Sequence, residues 1–259
     1  MSSRHRRALG ALLLFLPGVL LCLLLAVRLV AVLVGRETPD RIHLSLLIVQ
    51  AAGLGWPCAV AAGALGLSPR ALGLGLPRPS DLPLAAGLSV GLWAPLLAAD
   101  SLRARLFGDP EVFRTFQDLI EPGWGGYAAV VGILAVLPGL MEELAFRGIL
   151  QPLLTEAWGG AAGIVAASAA FAAFHRNLEQ LVVQFLLGLA LGWLRRRTGS
   201  LWPCILVHAL HNALSVWAMA RLPGWEGPVP PFPPASWLAG GAVLAAASAW
   251  ALARPGRRE

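Results

Sequence analysis

The sequence has little charge and no lysine. Among its 259 residues only 13% are charged, and all twenty basic side chains are arginine. A soluble domain carries roughly a quarter charged residues, so this chain lacks the polar surface that would cover a water-soluble globule. With 57% hydrophobic residues and a mean hydropathy of +0.70, the composition indicates a membrane protein.

Several functional classes lack their usual signatures. The arginines cluster at the ends of apolar segments rather than along one polar face, so no nucleic-acid partner is predicted. The three cysteines, Cys22, Cys58 and Cys204, lie in apolar segments without metal-ligand spacing and are expected to act as small hydrophobic side chains. The sequence contains no HExxH, no G-x-S-x-G and no phosphate-binding loop. Nothing in it determines an oligomeric state.

Long apolar runs are abundant. A spanning helix needs about 20 mostly apolar residues, and lipid requires backbone groups to bond within each segment, so the sequence predicts an all-α, polytopic transmembrane bundle of about eight helices. We expect the first helix to stay uncleaved, because its apolar run is too long for a signal peptide. The candidate helices are 8–34, 42–66, 82–99, 126–157, 160–176, 179–195, 200–220 and 236–253.

Two segments differ from a simple series of spanning helices. The 126–157 stretch is too long for one straight span, and Pro138-Gly139 predicts a kink or a boundary within it. The most polar segment is 102–125, in which residues 111–120 predict a short interfacial helix.

Polar side chains inside apolar helices are rare and mark functional candidates. Glu143 and Arg147 are four residues apart, the helical spacing at which a carboxylate and a guanidinium meet, so we expect a structural ion pair. Glu142 is turned about 100° away from that pair and is predicted to be a free carboxylate, suited to act as a general base or a metal ligand. The full set is Glu142, Glu143, Arg147, His175, His208, His211 and Asn212.

Histidines complete this set. His175 ends the next short helix, one turn after Phe171, and His208 and Asn212 are one turn apart on a later helix. If these helices meet, one carboxylate and two imidazoles converge, which is a donor set that binds zinc or deprotonates a water. Asn212 is predicted to donate a hydrogen bond to a developing oxyanion. The constellation indicates a hydrolase.

The motifs resemble those of the CPBP intramembrane proteases, which include type II CAAX prenyl endopeptidases, lysostaphin-resistance-like proteins and abortive-infection or bacteriocin-immunity proteins. The resemblance implies an endopeptidase in which Glu142 and His175 activate water. It implies that His208 and Asn212 act as metal ligand and oxyanion donor, or as an oxyanion pair without metal. Zinc, if bound, would have Glu142, His175 and His208 as ligands. The family's EExxxR, FxxxH and HxxxN/D motifs stand here as Glu142-Glu143-x-x-x-Arg147, Phe171-x-x-x-His175 and His208-x-x-x-Asn212.

The resemblance divides the chain into three parts: N-terminal helices with a polar loop (1–125), a CPBP-type protease core (126–220), and a Pro-rich linker with a last helix and basic tail (221–259). We expect a lipid bilayer, namely a bacterial cytoplasmic membrane, and a membrane-associated protein or peptide as substrate. His211 lies inside the last motif and is a departure from the family pattern. It is a further candidate metal ligand or hydrogen-bond donor, in competition with His208. The alternatives are a non-catalytic immunity protein or scaffold, and a small transporter, which the absence of internal repeats disfavours.

Overall fold

The computed structural model describes residues 3–33, 39–108, 124–175, 180–222, 225 and 229–254. Within these residues there are eight continuous helices and no strand, so the predicted all-α fold of about eight helices is confirmed. The predicted interfacial helix at 111–120 lies outside the described residues. In chain order the helices are α1 (Ser3–Leu33), α2 (39–64), α3 (Asp81–Phe107), α4 (124–158), α5 (Gly160–Phe174), α6 (Leu181–Thr198), α7 (Trp202–Arg221) and α8 (Ala235–Ala253).

Six of the described helices, α1, α2, α3, α4, α7 and α8, are long and apolar enough to cross a membrane. Two of the predicted spans, 160–176 and 179–195, are helices in the structure (α5 and α6) but are not long and apolar enough to cross a membrane. Helix α5 has 15 residues, fewer than the roughly 20 needed to span the hydrocarbon. Helix α6 has three arginines in its last turn, so its uncharged part is shorter than a membrane crossing requires. Among the described residues, six helices are therefore candidates to span the membrane.

Helices α2 and α4 are not regular along their length. Helix α2 contains one wide π-helical stretch, and α4 contains two, one on each side of the two glutamates. Such insertions inside α-helices are rare and frequently lie at functional sites. In order, α2 consists of Pro39–Ile48, π-helical Val49–Gly55 and Trp56–Ala64, and α4 of Trp124–Val131, π-helical Gly132–Val136, Leu137–Glu143, π-helical Leu144–Leu150 and Gln151–Trp158.

Pro138 does not end a helix. Helix α4 continues through Pro138 and Gly139, and its change from π-helix to α-helix falls at Leu137, one residue before the proline. The predicted kink or boundary is therefore a change of helix type and not a helix end. Proline lacks the N–H that would bond to the carbonyl four residues earlier, here Leu134. The side chain of Asn212 on α7 donates to that carbonyl at 3.1 Å. A proline in the middle of α4 is tolerated because a neighbouring helix supplies the missing donor.

The apolar core has two main parts. One joins α1, α2, α4 and α5 around residues such as Leu54, Ile149 and Phe171. The other joins α3, α6, α7 and α8 around residues such as Leu191 and Val207. Helices α4 and α7 also pack against each other, so α4 in the first part meets α7 in the second. This boundary is where the polar residues of both helices come together.

Helices α3 and α8 approach closely at two glycines. A Cβ atom added at Gly91 would contact the backbone N of Ala245 and lie 2.7 Å from the carbonyl oxygen of Gly241. Because those neighbours are backbone atoms, they have no rotamer through which to move away. The space at Gly91 therefore sets how closely α3 and α8 can pack.

We expect Gly91→Ala to destabilise the protein by about 1–3 kcal/mol, as overpacking of a close contact does. The measurement is thermal or denaturant unfolding in detergent. Gly240→Ala is the matched control, since nothing lies within 4 Å of its added Cβ, and it should be neutral or slightly stabilising because alanine favours helix. Equal behaviour of the two variants would contradict this account of the α3–α8 contact.

Candidate active site

Glu143 lies at the centre of a buried polar network. Its Oε1 accepts a hydrogen bond from Arg147 Nη1 at 2.7 Å and another from His208 Nδ1 at 2.8 Å. Glu143 is fully buried, and Arg147 and His208 are 1% and 2% exposed. The expected ion pair between Glu143 and Arg147 is present, and His208 joins it from α7.

Arg147 has further partners that fix its position. Its Nη2 donates to the carbonyl of Gly188 on α6 at 3.2 Å. Its guanidinium lies 4.4 Å from the centre of the Phe171 ring, in a cation–π arrangement. Arg147 therefore connects α4 to both α5 and α6, and Phe171 covers the charge that a lipid-like interior would otherwise destabilise.

Glu142 has a different set of neighbours. Its Oε1 accepts a hydrogen bond from Gln50 Nε2 at 2.8 Å. Its Oε2 is buried without a hydrogen-bond partner, and lies 3.8 Å from His175 Nε2 and 3.9 Å from His208 Nε2. The carboxylate expected to be free is thus tied at one oxygen, while the other faces two imidazoles.

Gln50 was not recognised from the sequence. Ionisable residues within apolar segments are the usual mark of a site, whereas Gln50 is an uncharged amide in the second apolar segment. The available signal was its isolation, since residues 46–67 contain no other side chain as polar as an amide. Its partner is 92 positions away in the chain, so only the packing of α2 against α4 could reveal the bond.

His175 and His208 are each held by a hydrogen bond at Nδ1. His175 Nδ1 lies 2.9 Å from the carbonyl oxygen of Phe171, and His208 Nδ1 lies 2.8 Å from Glu143 Oε1. Both partners are acceptors only, so each Nδ1 carries the proton. Each ring therefore turns its Nε2 toward Oε2 of Glu142. The Phe171 ring also packs edge-on against both imidazoles, which accounts for a phenylalanine one turn before His175.

Asn212 and His211 occupy adjacent positions on α7. One amide proton of Asn212 is used on the carbonyl of Leu134, which leaves the second available. His211 Nδ1 is buried and has no hydrogen-bond partner. Both side chains line the same cavity as Glu142, His175 and His208.

That cavity has a volume of about 470 Å³. Most of its wall is apolar, with Leu23, Val49, Leu97, Ile133 and Val183 among the lining residues. An apolar cleft with a few convergent polar groups is typical of a ligand site.

The distances between the possible ligand atoms are larger than those around a zinc ion. Ligands of one tetrahedral zinc lie about 3.4 Å apart, given metal–ligand distances of about 2.1 Å. The Glu142–His175 and Glu142–His208 separations of 3.8 and 3.9 Å are wider. In the part of the chain that the structure describes, no three His, Cys, Asp or Glu side chains form a group with metal-ligand spacing. The side chains as they stand do not fit a zinc ion.

Residues 124–214 match the family model described as Rce1-like: Type II CAAX prenyl endopeptidase Rce1-like. The match confirms the family resemblance seen in the three motifs. It covers about a third of the chain and includes every motif residue. No curated protein and no solved structure gives a significant match.

The structure brings the predicted site residues to one place. Their separate duties in a reaction stay predictions, since hydrogen bonds describe position and not turnover. The residues that converge from α4, α5 and α7 are Glu142, Glu143, Arg147, His175, His208 and Asn212.

Arg147→Ala should destabilise the protein by about 3–5 kcal/mol, because it leaves the carboxylate of Glu143 buried without its cation. Unfolding in detergent, followed by circular dichroism, measures the loss. Arg70→Ala is the control: Arg70 is exposed in the loop after α2, and a surface change of this kind stays within about 0.5 kcal/mol. A similar small loss for both variants would mean that the buried pair is not needed for stability.

Proposed function

We propose that this chain, whose residues 124–214 belong to the Rce1-like family of type II CAAX prenyl endopeptidases, is an intramembrane endopeptidase. The family match and the six candidate membrane helices support a CAAX-type protease in the bilayer that acts on a protein substrate. The finer proposal is that Glu142 activates the water that attacks a peptide bond of a membrane-associated protein.

The observation that carries this proposal is the unpartnered Oε2 of Glu142, which faces two imidazole nitrogens inside an apolar cavity. Atoms 3.8–3.9 Å apart are too far for a direct hydrogen bond, but one water can bridge them. A water between Glu142 and His175 donates one proton toward each of these groups. In this arrangement its oxygen is the nucleophile.

The proposed attack transfers one water proton to Glu142 as the oxygen adds to the peptide carbonyl carbon. The carbonyl oxygen becomes an oxyanion, which accepts hydrogen bonds from the free amide proton of Asn212 and from protonated Nε2 of His208. Collapse of the intermediate breaks the C–N bond, and Glu142 returns its proton to the leaving amine. The carboxylate acts first as base and then as acid.

His208 suits its part because of Glu143. A carboxylate that accepts from Nδ1 orients an imidazole and stabilises the imidazolium form, as in other hydrolases. The negative charge of Glu143 is shared between Arg147 and His208. In the proposed site Glu143 and Arg147 therefore position His208 without contacting the substrate.

Glu142→Gln should lower peptide cleavage by about 10²–10⁴-fold, the usual contribution of a general base, while the protein still folds. The assay uses purified protein in lipid vesicles with a pool of membrane-anchored peptides, read by mass spectrometry. Glu156→Gln is the matched control, since Glu156 lies on α4 but is exposed, and it should retain full activity. Undiminished cleavage by Glu142→Gln would refute the assignment, and no cleavage by the wild type would favour the non-catalytic alternative.

We propose that the water is activated without zinc, since the donor separations are wider than zinc ligands require. Cleavage by the purified wild-type protein should persist in excess chelator. Elemental analysis should find zinc well below one atom per chain. About one zinc per chain, together with activity lost to chelator and restored by zinc, would overturn this part of the proposal and favour the metalloprotease form.

A further inference from the structure

Gln50 has one amide atom bound and the other unsatisfied. Its Nε2 donates to Glu142 Oε1 at 2.8 Å, and a carboxylate oxygen of an ionised glutamate only accepts, so the orientation of the amide is fixed. Its Oε1 is buried and has no hydrogen-bond partner. Gln50 as a whole is 9% exposed and lines the cavity. A buried acceptor without a donor is costly and indicates a ligand that brings one.

The position of Gln50 is set by close packing. It stands at the start of the π-helical stretch of α2, where the wider turn changes the direction of side chains. Five residues on, Gly55 lies so close to α4 that an added Cβ would be 3.1 Å from Met141 Sδ, beside Glu142. The amide group of Gln50 is therefore held beside the carboxylate of Glu142, with its nitrogen bound to Oε1.

The cavity and the proposed reaction together indicate which group donates a hydrogen bond to Gln50 Oε1. Most of the wall is apolar, so a ligand that fits it is mainly apolar and carries few polar groups. A peptide brings one N–H per residue, and each must find an acceptor in an apolar site. Inside an α-helix those N–H groups are already bonded to carbonyls. Only an extended segment offers them to a protein side chain.

We propose that Gln50 binds the substrate: its Oε1 accepts the backbone N–H of a residue close to the scissile bond, in a segment that is extended rather than helical. This rests on the proposed endopeptidase function. Because Oε1 and Nε2 of Gln50 belong to one amide group, the side chain that binds the substrate backbone also orients Glu142. Substrate register and the orientation of the base are thereby coupled through one residue.

The test replaces single N–H groups of the substrate. A peptide that the wild-type protein cleaves is synthesised as a series in which one backbone N–H within two residues of the scissile bond is replaced by an ester oxygen. The scissile bond itself stays an amide. At one position the replacement should lower kcat/KM of the wild type by about tenfold, as expected for one lost hydrogen bond.

The same series is measured with Gln50→Met, which has similar length but no amide. There the ester at that position should change kcat/KM by less than about twofold, because the acceptor is already gone. Gln184→Met serves as the control, because it removes another buried amide oxygen of the cavity that has no hydrogen-bond partner. This variant should keep the wild-type ester penalty at the substrate position assigned to Gln50.

Equal ester penalties in the wild type and in Gln50→Met, or no penalty at any position, would overturn the inference while leaving the endopeptidase function intact. Absence of any cleavage by the wild type would instead remove both. If Gln50→Met is too slow to assay, the ratio of dissociation constants for the amide and ester peptides replaces kcat/KM. That ratio requires no turnover and leads to the same two outcomes.

Discussion

The Glu143 carboxylate, buried between Arg147 and His208, is the interaction on which the site depends. An isolated carboxylate in an apolar interior is costly, and removing one member of a buried pair costs more than the pair itself contributes. Here one oxygen of Glu143 receives both donors, which ties α4 to α7 at one point. Phe171 then covers the guanidinium from α5. Neutralising this one charge therefore brings side chains of α4, α5 and α7 together beside the cavity.

Two adjacent glutamates can do different work because successive side chains of a helix point in different directions. Glu143 is turned toward α7 and has strong donors, which suits a structural anchor. Glu142 is turned toward the cavity, where an amide replaces the guanidinium as its partner. An uncharged donor orients a carboxylate without placing a counter-charge beside it, which is the environment that the proposed general base requires.

The sequence predicts the contacts that lie within one helix better than those that join two. The Glu143–Arg147 pair was predictable because it needs only a spacing of four residues, and His175 bonds back to a carbonyl four residues earlier in the same way. The hydrogen bond from His208 to Glu143 and that from Gln50 to Glu142 span 65 and 92 positions. They depend on the π-helical stretches and on glycine-mediated approach, neither of which hydrophobic periodicity reveals. Length and apolarity in the sequence predicted eight spans, of which six are described helices long and apolar enough to cross a membrane.

Amides recur at this site for a physical reason. A side chain that served only the substrate would lie unsatisfied in an apolar bundle whenever no substrate was bound. Asn212 and Gln50 avoid most of that cost, because each amide has several hydrogen-bonding positions. Asn212 uses one proton on the carbonyl that Pro138 leaves without its usual donor, and Gln50 uses its nitrogen on Glu142. Each thereby stabilises the scaffold with one part of its amide and has another part available at the cavity, so the site keeps its geometry without a ligand.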